Sequence, residues 1–178
     1  MFEEYLQDAS AFIEIAQDLT DKPDKRFARR YYRASAFCLA GAIESFVNYV
    51  ADSFAQAEKL PVHEIAFLND KKFSPEKGEL VQKPEFHRLE DKLKILLKRF
   101  VPHFDFQSGM WLWFMELKDL RDSLIHPRQM EDEMTLTQYH TKLDRGMSGL
   151  LDLMDCLSKA IFKKHLRKQI LDLKPDVS

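Results

Sequence analysis

Two side chains stand out for the chemistry they could do, Arg121 and His126, within residues 117–128, which read LKDLRDSLIHPR. A guanidinium stays charged and forks onto phosphate oxygens, while imidazole is the side chain whose free pKa lies nearest neutrality. Together they suffice, with no metal, for an RNA strand to attack its own phosphodiester through the 2′-hydroxyl. His126 would move protons and Arg121 would stabilise charge on the phosphorane. Asp122 lies four residues before His126, so it can orient or polarise the ring if the last helical turn holds. The histidine has a structural alternative, since a cationic His at a helix C-terminus complements the dipole.

These residues need a helix that stops at the right place. The run Met110-Trp111-Leu112-Trp113-Phe114-Met115 predicts the first turns of a helix starting near Ser108. A residue before proline is pushed out of the α region, so the helix should end where His126 meets Pro127. At 100° per residue Trp113, Leu117, Leu120 and Leu124 fall within a narrow arc, the expected core face. Trp111, Phe114, Met115 and Ile125 lie off that arc and need covering, by another helix or by a second copy of the chain. The same wheel puts Arg121 and His126 about 140° apart, too far to serve one phosphate easily. Either the helix unwinds before Pro127, or two chains share a composite cleft, where a two-fold axis brings both pairs together.

The run Arg121-Asp122-Ser123-Leu124-Ile125-His126 resembles the Arg, polar, three variable, His signature of HEPN domains, small all-helical proteins of which many are metal-independent endoribonucleases. The resemblance is most specific over residues 117–128. It implies an all-α bundle of about five helices, HEPN-like and paired as a two-fold dimer, with Arg121 and His126 as the active pair and Asp122 at the polar second position. It further implies cleavage of single-stranded or loop RNA to a 2′,3′-cyclic phosphate and a 5′-hydroxyl, without metal or cofactor. RNA is required because the internal nucleophile is the 2′-hydroxyl. A toxin, antiphage or RNA-processing setting follows by resemblance, with an antitoxin or nucleotidyltransferase-like protein as the partner. One departure is that the branch paired with small nucleotidyltransferases has Tyr two residues after the His, where this chain has Arg128. The alternative of a different class is a non-catalytic HEPN-like module that binds a nucleotide, RNA or a partner protein.

A length of 178 residues fits one domain, residues 1–178. A net charge of −2 argues against nucleic-acid binding by overall field, so an RNA site must be a local patch. Few glycines and few β-branched runs favour helices. No secretory leader or uncharged run of membrane length is apparent, the best, 34–43, stopping at Glu44. A soluble cytoplasmic protein with no membrane partner is expected. Cys38 and Cys156 read as reduced, buried small hydrophobes, and no metal-ligand spacing is present.

Periodicity predicts a first helix over 2–20 and a second, long one over about 25–60 behind an Asp24 N-cap. In its first turns Arg26, Arg30 and Arg33 recur at helical spacing beside Phe27, Tyr31 and Tyr32. Exposed aromatics there could stack on unpaired bases, or they pack inward and leave the arginines solvated. Glu44 and Asn48, at i and i+4, are polar groups on an otherwise apolar stretch; Arg121 or His126 would partner them if this helix lies against the motif helix, and surface exposure is the alternative. Residues 61–84 are the least regular, with a short helix expected over 62–68 and a mobile turn over 71–78. A third helix is expected over 85–100 and a last one over about 135–166 behind a Thr cap. Gly146 and Gly149 there permit close helix approach or a kink, and Lys159, Lys163, Lys164 and Arg167 suit a solvated C-terminal end. Arg128 joins Arg26, Arg30 and Arg33 as a candidate phosphate contact. His63 and His87 fit no ligand pattern, and His103 follows Arg99 too closely for the motif. No P-loop, Gly-rich dinucleotide turn, His-Glu-x-x-His motif or internal repeat is present.

Overall fold

The computed structural model describes residues 1–57, 60–126 and 134–176. Helix α1, Phe2–Asp18, buries Leu6, Ala9, Ile13 and Ala16 on one stripe, the 3.6-residue period that an amphipathic helix requires. It lies against α2, Lys25–Ala57. Small residues on α2, among them Ala28, Ser35, Ala36 and Ala42, are fully buried, and the Ser35 hydroxyl donates to the Ala9 carbonyl at 3.1 Å. Asp24 acts at the start of α2 as expected, accepting the Arg26 backbone N–H at 3.0 Å.

Helix α3, Val62–Leu68, leads into a feature the sequence does not announce. Strands β1, Lys71–Glu76, and β2, Glu79–Pro84, pair as an antiparallel hairpin with Glu76 opposite Glu79. The two-residue connection is Lys77-Gly78, with φ of 50° and 88°. Positive φ at both positions is what a type I′ hairpin turn demands. The expected mobile turn over 71–78 is therefore corrected to a hairpin, braced across its strands by Lys83 and Glu76 at 3.0 Å. Its signal was weak because Pro75, Pro84 and a run of charges interrupt any alternation, and both strands are largely exposed.

Helix α4, Leu89–Phe100, starts later than expected, after an extended segment. Helix α5, Gly109–Ile125, carries the motif. Helix α6, Leu136–Phe162, opens on a capping box in which the Thr135 side chain accepts the Gln138 N–H and the Gln138 side chain accepts the Thr135 N–H. It ends at Phe162, short of the expected 166, because Lys163 takes the left-handed conformation at φ 60°. A final turn, α7, Lys168–Leu171, buries Ile170, and Arg167 pairs with Glu3 of α1.

The described residues are thus mostly helical, seven helices and one two-stranded sheet instead of about five helices. The core sits where α2, α5 and α6 meet, with α1 on its flank and α4 closing one end. At Gly146 an added Cβ would come to 2.9 Å from the Leu117 Cβ, and at Gly149 to 2.8 Å from both the Met110 carbonyl oxygen and the Trp113 Cβ. The two glycines therefore let α5 approach α6 more closely than any side chain would allow. Helix α2 is long and apolar enough to cross a membrane, but half of that window is buried against its neighbours in the chain. Cys38 and Cys156 are free and only half-buried. Burial pushes both thiols up from their ordinary values.

Candidate functional site

Helix α5 buries Trp111, Phe114, Leu117, Leu120 and Leu124. The face expected to need a partner is covered in part by the chain itself, since Phe104 and Phe106 meet the Trp111 ring edge-on at 6.3 and 5.0 Å. Ile125 and Leu112 stay exposed. The helix does not unwind before its end. The His126 N–H still donates to the Asp122 carbonyl at 3.0 Å, and His126 itself, at φ −120°, is the C-cap.

Arg121 is half-buried and faces α2. Its Nη1 donates to Asp122 Oδ1 at 2.8 Å and its Nη2 lies 3.8 Å from Glu44 Oε1. The sequence offered two alternatives for Glu44, a meeting with the motif helix or surface exposure, and both hold. Asp122 also accepts from Lys118 Nζ at 3.2 Å. Burial pushes the Asp122 carboxyl up, but the Arg121 and Lys118 hydrogen bonds and charges outweigh it and hold it below the ordinary carboxylate range. Asp122 was expected to orient the His126 ring; it is instead committed to two cations. Among the described residues the His126 ring makes no hydrogen bond or ion pair, and it is exposed at the helix exit.

Arg121 opens into a cleft of about 480 Å³ between α2 and α5, within the size range of small-ligand sites. Its floor is Ile43, Phe114 and Leu117; its polar wall is Glu44, Lys118, Arg121 and Asp122; and Phe86, Arg88 and Leu89 close it from the hairpin side. Arg88 is exposed and makes no ion pair among the described residues, so its guanidinium is open to an anion. His126 does not line this cleft. Within one chain the motif's two side chains therefore serve separate environments, as the 140° wheel angle demands of a regular helix. A smaller cavity of about 120 Å³ shares Glu44, Phe86 and Leu89 with the cleft and runs on to Asn48, Asp70, His87 and Lys92. Asn48 is exposed on α2 beside it.

Sequence reasoning missed Arg88 and Lys118. Lys118 had a readable signal, lying three residues before Arg121 and four before Asp122 on the same helix. Arg88 had none, because it comes into the cleft only through the path of the hairpin.

The basic stripe of α2 is exposed but only partly available. Arg26 is tied down by Asp24, donating from Nε at 2.9 Å and Nη2 at 2.8 Å. Those bonds pull the Asp24 carboxyl down to about 2. Arg30 lies over the Phe27 ring, 5.3 Å from its centroid. Of the three aromatics only Phe27 is exposed; Tyr31 packs on Phe12 and Tyr32 is buried, stacked on Tyr139. Arg33 and Arg26 stand roughly 17 and 27 Å from Glu44 along the helix axis, at 1.5 Å per residue. The stripe flanks the cleft and does not belong to it. Arg128 lies outside the described residues. Among the described residues no group of three or more His, Cys, Asp or Glu side chains could hold a metal ion.

The chain matches no protein-family model, no curated protein and no solved structure.

Proposed function

We propose that the protein is a HEPN-like, metal-independent endoribonuclease whose working unit is a two-fold dimer, cutting single-stranded or loop RNA by 2′-hydroxyl attack. The observation that carries this reading is the state of His126. Its ring stands exposed and uncommitted at the exit of α5, one turn beyond a guanidinium that faces a cleft with two further cations, Arg88 and Lys118. An uncommitted imidazole at a helix stop is available as a proton carrier, and a cleft with three cations against two carboxylates, Glu44 and Asp122, keeps a net positive charge that suits a phosphate. Arg121 would stabilise the phosphorane and His126 of a second copy would move protons. Asp122 and Glu44 hold the guanidinium in place, and Arg33 and Arg30 extend the contact along the strand. No metal or cofactor enters this scheme. We place the enzyme in the cytoplasm in a toxin, antiphage or RNA-processing role, with an antitoxin or nucleotidyltransferase-like protein as its regulator.

The experiment is to incubate the purified protein with labelled RNA in EDTA, beside Arg121→Ala and His126→Ala. Each substitution should lower the cleavage rate by about 10²–10³-fold, the range for losing an electrostatic stabiliser or a proton carrier. Undiminished cutting by folded His126→Ala overturns the scheme. A second reading is favoured by the exclusion of His126 from the cleft, namely a non-catalytic module binding a nucleotide, RNA or partner protein at Arg121 and Arg88. Binding without cleavage by the unaltered protein selects it.

A further inference from the structure

The corner where the hairpin returns to α4 is more constrained than a connection needs to be. Asp70, the residue after the Asn69 C-cap of α3, sits at φ 53°, the left-handed conformation in which helices commonly end, and its surroundings hold it there. Asp70 accepts the His87 N–H at 2.9 Å and the ammonium of Lys92 at 2.6 Å. Lys92 is only 5% exposed. The His87 ring stacks on Phe67 with centroids 3.9 Å apart, and its Nε2 is buried without a hydrogen bond, 3.6 Å from Glu85 Oε2. A nearly buried lysine held by a partly exposed carboxylate, and a ring nitrogen buried without a hydrogen bond, stand together in one wall and are departures that stability alone does not favour.

That wall closes the smaller cavity, which adjoins the Arg121 cleft and shares Glu44, Phe86 and Leu89 with it. Phe86 stands at the junction with 84% of its surface exposed, an apolar ring presented to solvent beside a polar cavity. Opposite the wall, Asn48 brings a carboxamide, which both donates and accepts. An aromatic face beside a donor–acceptor pair, next to cations that suit a phosphate, matches the flat, edge-polar chemistry of a nucleobase.

We propose that the lobe between Asn48 and His87 is a nucleobase subsite. Phe86 stacks on the base, Asn48 hydrogen-bonds its edge, and Arg121 and Arg88 hold the phosphate of the same nucleotide. This rests on the reading of the cleft as a phosphate site, and it sets which base is accepted beside the bound phosphate. Neither role needs the second copy of the chain.

The test is calorimetric titration of the full chain in EDTA with the four nucleoside 3′-monophosphates and, separately, with inorganic phosphate. The unaltered protein should bind at least one nucleotide about tenfold more tightly than phosphate, and Phe86→Ala should remove that advantage, as loss of a stacking platform does. Affinity for phosphate should not change. Asn48→Ala should narrow the differences among the four bases. Nucleotides binding no better than phosphate overturns the subsite and leaves the phosphate site standing, whereas binding of neither overturns both. If RNA is not cut but Phe86→Ala still abolishes the nucleotide preference, the subsite is upheld and the nuclease reading fails. Phe86 is so exposed that its truncation leaves the core untouched, and an unchanged circular dichroism spectrum confirms that the variant folds.

Discussion

Arg121 is held from two sides, by the neighbouring Asp122 carboxylate and by Glu44 across the cleft. Such a clamp keeps a long, flexible side chain aimed at one volume, and it leaves the remaining guanidinium donors for a ligand. It also makes the site sensitive to acid. The folded-state pKa of Asp122 lies below its ordinary 3.8, so its contribution to stability is present above about pH 4 and is lost as pH falls through the lowered value. Asp122→Asn should therefore be less stable than the unaltered protein at neutral pH, with the difference shrinking in acid well below pH 3.8. Urea midpoints at neutral and acid pH check this, and a difference that persists in acid would show that the carboxylate charge is not the cause. The contact of Glu44 with Arg121 was one of two alternatives the sequence offered, and the other, exposure at the surface, holds as well. The commitment of Asp122 was not legible. Spacing places it near both Lys118 and His126, and only the folded arrangement decides that the cations win, with two opposite charges against one exposed ring.

Between elements, the placement of α5 depends on residues that carry no side chain. The Cβ that Gly149 lacks would strike the Met110 carbonyl oxygen and Trp113 at 2.8 Å, and a backbone oxygen cannot rotate out of the way. Gly149→Ala should gain about 1 kcal/mol in helix propensity and lose more through overpacking, which costs up to about 3 kcal/mol. A net loss, read as a lower urea midpoint at unchanged slope, is expected. A more stable variant would mean that α5 can shift freely against α6. The long helices were readable from their apolar period, and close approach at the glycines was one of two alternatives the sequence offered. The hairpin was not readable, since an isolated pair of exposed strands carries neither a buried face nor the Asn-Gly or Asp-Gly turn that marks most such connections. That omission mattered, because the segment that follows the hairpin brings Phe86 and Arg88 to the cleft and His87 to the smaller cavity beside it.

For the molecule as a whole, the regular end of α5 turns a wheel angle into a question of assembly. A helix that holds its hydrogen bonds through His126 keeps that ring off the face of Arg121, so the proposed reaction needs the imidazole of one chain beside the guanidinium of another. This arrangement is distinguishable from action within one chain by mixing two dead proteins. Arg121→Ala retains His126, and His126→Ala retains Arg121. Unfolded together and refolded in equal amounts, they should pair at random, so that half of the dimers are mixed and each mixed dimer restores one Arg–His pair across its interface. Cleavage should return to about a quarter of the unaltered rate, since in a two-fold dimer only one of two equivalent pairings is intact. Recovery should vanish on dilution below the dimer dissociation constant. A mixture as inactive as its components, with light scattering confirming dimers, would place both groups in one chain. The regular helix would then have to open before Pro127 on binding RNA.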